Sequence, residues 1–219
     1  MDNILPRVLF TVFGLPIRDT VVGTWAMMIL LLLAAWAVNR RKPAALEMLV
    51  DFLNDLISGI IGRPAAPFLP LLGSLAIFIA AANLVGFMPF LISPTRDINT
   101  PLALALVVFF SVHYFGIRSK GAAGYVKDLA SPIYLLPLEI IGQLSRTLSL
   151  TLRLFGNIFS AELILVIVFA LAPLFLPLPL VGLGIFTGLL QAYIFTALAA
   201  VYIGAGIEAS GTRKRKDKG

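Results

Sequence analysis

Six polar side chains interrupt an apolar run: Glu139, Gln143, Arg146, Ser149, Arg153 and Asn157. Their spacings of 4, 3, 3, 4 and 4 put them on one stripe of an α-helix, which turns about 100° per residue. Around them stand mainly Leu, Ile and Phe. Charges at membrane depth are costly, about 2.5–3.5 kcal/mol each on the lower insertion scale, so such groups face protein or water and mark a pathway. A guanidinium keeps its proton, with a pKa above about 12, so Arg153 cannot relay protons. It can attract a carboxylate and hold it ionised. Glu139 is fourteen residues away, about 21 Å along a helix. Arg146 is only seven residues from Glu139, about 10 Å, and is the expected partner of that acid. Arg153 is left to find a negative charge on another subunit. Glu162 follows Arg153 by nine residues and falls about 180° around the same helix. A titratable acid on one face and a permanent cation on the other suit a proton path from which the cation is kept out. The plain alternative for Glu162 is an interfacial acid near a helix end.

Polar groups elsewhere are few. Gly184, Gly188 and Gln191 form one stripe near the C-terminus, small enough for close helix contact, and this would let Gln191 reach Arg153 and hold its side chain. Asn83, Asp97 and Asn99 flank the outer ends of two apolar stretches, where they line a water-filled entry or build a turn around Pro94 with an Asx cap. His113, the single histidine, fits packing or an interface better than proton transfer. With no cysteine and one histidine, no disulfide, thiolate site or histidine metal cluster can form. No phosphate-loop, zinc-protease or nucleophile-elbow motif is present. Neither a cofactor, a metal nor a catalytic residue is expected.

The elements that position these groups follow from composition. Of 219 residues, 59% are hydrophobic and 13% charged, against about 25% charged in soluble domains. Mean hydropathy is +0.98. A soluble shell could not cover that surface, so the chain is read as an all-α polytopic membrane protein, a single domain over residues 1–219. Crossing about 30 Å of hydrocarbon takes roughly 20 apolar residues. Candidate spans are 21–38, 68–92 and 102–117, then 133–176, which is too long for one span, and 178–207. Five spans is the central expectation, with four or six allowed.

Lys and Arg in the connections set the orientation. With the N-terminus outside, the inside receives twelve such residues and the outside three, Arg7, Arg18 and Arg96. The basic tail 208–219 is then cytoplasmic, and the net charge of +6 reports topology and not nucleic-acid binding. Pro43 to Ile61 carries Leu46, Leu49, Leu53, Leu56 and Ile60 at helical spacing, with Glu47, Asp51 and Asp55 on another face. It reads as an amphipathic helix at the cytoplasmic interface, its acidic face either merely solvated or offered to a protein partner.

The stretch SLTLRLFGNIFSAEL, followed about thirty residues later by LLQAYIFTALAAVYIGAGIE, resembles subunit a of the rotary F-type ATP synthase, bacterial type. Upstream, FLPLLGSLAIFIAAANLVGFMPF, DINTPLALAL, Glu139 and Arg146 continue the likeness, which covers about residues 65–208. The resemblance implies five to six helices, the last two, about 133–170 and 178–207, strongly tilted as a hairpin against a rotor ring. It implies that Arg153 is the stator arginine, that Asn157 and Glu162 belong to an aqueous path, and that Gln191 supports the arginine. It further implies a c-subunit ring and b-type peripheral stalk subunits as partners, an F1 ATPase head reached indirectly, and a bacterial inner membrane. The chain would conduct ions without catalysing a reaction itself. Where some members carry a histidine or an acid able to couple to Glu162, this chain has Gly184 and Ala161, so Glu162 lacks an obvious titratable partner. A sodium-coupled version of the same subunit, a self-contained secondary transporter and a membrane scaffold are the competing classes.

Overall fold

The computed structural model describes residues 8–12, 15–41, 43–87, 93–129, 136–171, 175 and 177–208. Seven α-helices occupy these residues: α1 (Asp19–Arg41), α2 (Pro43–Ile61), α3 (Leu69–Val85), α4 (Asn99–Lys120), α5 (Ala122–Leu129), α6 (Leu136–Leu171) and α7 (Pro177–Glu208). The fold is that of a polytopic all-α membrane protein. A short antiparallel hairpin, β1 (Val8–Val12) with β2 (Leu15–Arg18), precedes the helices and was not foreseen, nor was α5. Lys42, residues 88–92 at the end of the second expected span, residues 133–135 and the tail beyond Glu208 lie outside the described residues.

Among the described residues four helices are long and apolar enough to cross a membrane: α1, α4, α6 and α7. The second expected span yields a 17-residue helix, α3, about 25 Å long. It stops at Val85, and residues 93–95 return to it, Ser93 and Thr95 bonding Ala82 and Asn83. The 133–176 stretch contains one unbroken helix: α6 has 36 residues, about 54 Å, and α7 has 32, about 48 Å. Both exceed the roughly 30 Å of hydrocarbon, a mismatch that helices relieve by tilting or by projecting beyond it.

α7 is the central helix, packed against α2, α3, α4 and α6. The core gathers Ile57 and Ile61 of α2, Leu72 and Ile79 of α3, Val108 of α4, Leu150 and Leu154 of α6, and Phe195 and Ile203 of α7. α2 begins at Pro43, a favoured first position because its missing N–H would have no partner there. Its acidic residues Glu47, Asp51 and Asp55 are exposed, and its buried stripe is Leu53, Ile57 and Ile61. The buried line thus runs one step round from the stripe of leucines, with α7, α1 and α3 as the neighbours of α2. α1 buries little beyond Met27 and Thr20, and leaves Trp25, Leu32, Leu33 and Trp36 outward. Its apolar surface suits lipid. α4 ends on Gly121 at φ +76°, whose N–H reaches Ile117 O at 2.7 Å. That left-handed backbone favours glycine and turns the chain into α5.

Candidate functional site

Three faces run along α6. One is packed, with Leu150, Thr151, Leu154 and Ile158 buried. A second is apolar and outward, including Leu144, Leu148 and Leu152. Between them lies the polar stripe, and there Arg146, Ser149 and Arg153 are exposed while Glu139, Gln143 and Asn157 are half-buried. The stripe is therefore a surface of this chain and not its interior.

At the N-terminal end the stripe pairs with itself. Arg146 Nη1 stands 3.7 Å from Glu139 Oε1, the partner expected from spacing, and Gln143 Nε2 donates to the same oxygen at 3.3 Å. The Arg146 guanidinium also lies 5.7 Å from the centre of the Tyr202 ring, within cation–π range. A cavity of about 20 Å³ opens here among Gln143, Arg146, His113 and Tyr202, room for about one water molecule. His113 packs on Phe109, with ring centres 4.5 Å apart, and its Nδ1 lies 2.8 Å from Phe109 O. It serves as a packing residue at the edge of that cavity.

Arg153 differs. Among the described residues it makes no ion pair and no side-chain hydrogen bond. Gln191 does not hold it: the amide nitrogen of Gln191 is buried without an acceptor. The expectation that Gly184 and Gly188 bring α7 close to α6 is corrected by the packing, because these glycines face α3. Asn83 Nδ2 donates to Gly188 O at 2.8 Å, and a Cβ on Gly188 would lie 3.0 Å from the Asn83 Cβ. A Cβ on Gly184 would overlap the Phe87 ring. Small residues permit close approach, but spacing cannot say which neighbour approaches.

Glu162, on the other side of α6, meets the α3–α4 connection. Its Oε2 lies 3.4 Å from Arg96 Nε, with the two side chains 20% and 13% exposed. Arg96 ends a 3₁₀ turn, Pro94–Arg96, which hydrogen bonds hold in place. Ser93 Oγ donates to Ala82 O at 2.9 Å, Ser93 Oγ and Thr95 Oγ1 are 2.8 Å apart, and Thr95 Oγ1 donates to Asn83 Oδ1 at 3.4 Å. Asp97 accepts from Asn99 N at 3.1 Å, the Asx cap foreseen around Pro94, and from Thr20 Oγ1 at 3.5 Å. Asn83, Ser93, Thr95 and Asp97 are all buried.

The same connection and the long α6–α7 pair lie within a recognisable stretch of chain. Residues 20–204 match the family of the ATP synthase A chain. The chain belongs to that family. It is 49% identical to ATP synthase subunit a 2 of Bradyrhizobium sp. strain BTAi1 over 207 residues, 91% of this chain and 93% of that relative. It is similar also to ATP synthase subunit a 2 of Pelobacter propionicus (41%, covering 95% of both chains). The likeness extends to ATP synthase subunit a of Moorella thermoacetica (38%, covering 93% of this chain and 97% of the relative). As an ATP synthase A chain it is a membrane subunit of a multi-subunit assembly, which accords with a polar stripe left on the outside of one chain.

The contact that spacing missed is that of Arg96 with Glu162. In sequence Arg96 was one of three outer cations in the connections. Its separation from Glu162 by 66 positions hid the pair. Glu162 has no titratable partner at Gly184 or Ala161, as expected, but it meets a fixed cation from the α3–α4 connection.

Proposed function

We propose that this chain is the stator ion channel of a rotary ATP synthase, with two half-channels that load and unload protons on carboxylates of a c-subunit ring. The observation that carries this is the exposed Arg153, a permanent charge on a membrane helix with no ion pair or hydrogen bond among the described residues. Left against lipid such a group is costly, so a partner must bring it a negative charge. A rotor carboxylate meets the need. Glu162, with Asn157 nearby on the helix, serves the outer half-channel, supported by the polar connection beside it. Glu139, Gln143, Arg146 and Ser149 serve the inner one, supported by the small polar cavity there. Asn83, Asp97 and Asn99 frame the outer entry, as a hydrogen-bonded scaffold more than as open walls. Gln191, buried on α7 with its amide nitrogen unmet among the described residues, is left to support the arginine once the rotor is in place.

A proton enters from outside and neutralises a rotor carboxylate, which can then pass through lipid at little desolvation cost. After nearly a full turn the carboxyl releases its proton to the inner half-channel. Arg153 favours the ionised carboxylate between the two, and its own proton is never exchanged. Each charge that crosses contributes about 2.3 kcal/mol per 100 mV, delivered through the rotor to the ATP-making head, which b-type stalk subunits hold against rotation. The orientation is N-terminus outside and C-terminus cytoplasmic in a bacterial inner membrane.

The test is to tag the chain at its C-terminus, purify it in mild detergent and identify its companions. A c ring, stalk subunits and an ATPase head are expected. A chain that purifies alone and moves ions unaided in liposomes would overturn the proposal.

A further inference from the structure

We infer that Arg96 is the residue that positions Glu162, a fixed counter-charge built into the α3–α4 connection to hold that carboxylate at the outer end of the ion path. The inference rests on the half-channel reading of Glu162 given above. It begins from the pair itself: Nε to Oε2 at 3.4 Å, with both side chains mostly withdrawn from the surface of the chain. A carboxylate in such surroundings is stabilised only if its charge is met, and arginine meets it without ever losing its own proton.

The turn that carries Arg96 is held on two sides. Ser93 and Thr95 tie it to Ala82 and Asn83 of α3, and the Asp97 carboxylate accepts from Thr20 of α1 and from the first turn of α4. Asn83 in turn holds the α7 backbone at Gly188. Arg96 is thus presented by a frame joining α1, α3, α4 and α7, which fixes where its side chain can reach. α7 cannot supply the counter-charge in its place at Gly184, because the Phe87 ring fills the space a side chain there would need. Arg153, about 180° away around α6, points elsewhere. The carboxylate therefore has a cation of its own, and the stator arginine remains available to the rotor.

The experiment uses the whole assembled enzyme in membrane vesicles and reads ion-driven ATP synthesis per assembled complex for the parent, E162Q, R96Q, R96K and R96Q/E162Q. R96Q is expected to lower synthesis on the order of tenfold, the range between an exposed and a fully buried pair. R96K should recover most of that loss, and R96Q should add little to E162Q. A fully active R96Q beside an impaired E162Q overturns the positioning role and leaves the half-channel intact. Parent-like rates in both overturn the half-channel reading of Glu162 as well. An R96Q chain missing from the complex moves the decision to R96Q/E162Q. Removing both charges leaves neither member of this pair facing an unmet charge from the other, so restored assembly supports the pairing and continued absence overturns it.

Discussion

The two ion pairs that α6 makes among the described residues differ in almost every physical respect. Glu139 and Arg146 sit seven residues apart on one stripe, 3.7 Å from each other, with side chains 41% and 45% exposed. Glu162 and Arg96 belong to different elements, 3.4 Å apart and 20% and 13% exposed. The first joins neighbours that the helix has already brought together, so it orders little new structure, and exposed pairs contribute only about 0–1 kcal/mol. The second ties α6 to the α3–α4 connection. Losing one of its partners would leave a largely buried charge unmet, which costs more than the pair itself contributes. Arg153 lies between the two on the helix and has neither kind of partner among the described residues. Charges on one helix can thus be self-paired, tied into the fold, or left on the surface of the chain, and burial separates the three.

The largest effect should come from the unpaired charge. Arg153→Ala is expected to reduce ion-driven ATP synthesis by roughly 10²-fold or more, the usual loss when a pre-organised charge is removed from a reacting centre. The c ring should still co-purify. Unchanged synthesis would remove the stator role. Next comes the frame behind Glu162. Asn83→Ala takes a donor from Gly188 O and an acceptor from Thr95, and leaving such groups unmet costs about 1–3 kcal/mol. A lower melting temperature in detergent, together with slower synthesis, is the expected result. A variant as stable as the parent would mean that the connection is held by other contacts. Gly184→Leu forces the Phe87 ring aside, and overpacking of this kind costs about 1–3 kcal/mol. Parent-like stability would show that α7 has room for a side chain beside the outer site after all. The smallest effect is expected at the exposed pair, where Arg146→Gln should change stability by no more than about 1 kcal/mol. A larger loss in the assembled enzyme, absent from the isolated chain, would show that a partner buries this end of the stripe.

The stripe on α6 was legible because helical periodicity is local: six polar residues at spacings of three and four can share a face only on a helix. The Glu139–Arg146 pair followed from the same arithmetic. The α2 helix was legible from Pro43 and its repeating leucines, and the Asx cap at Asp97 from the short-range chemistry of turns. Three things were not legible. The glycine stripe of α7 announced a close contact but not its partner, since spacing describes one surface and packing needs two. The apolar run around α3 did not show that Asn83, Ser93 and Thr95 join in one hydrogen-bonded cluster. The partner of Glu162 was missed because the two residues share no local pattern.

The amino-acid sequence by itself determined the solvent this protein needs, the helices it forms and which face of α6 carries charge. Those properties depend on composition and on rotations of 100° per residue, and both are present before any tertiary contact forms. Only the tertiary structure decided that Arg96 reaches Glu162, that α7 lays its glycines against α3, and that Arg153 stays on the outside of the chain. Each of those outcomes depends on how separate helices divide a limited packed surface among themselves, and close packing makes that division one problem for the whole bundle.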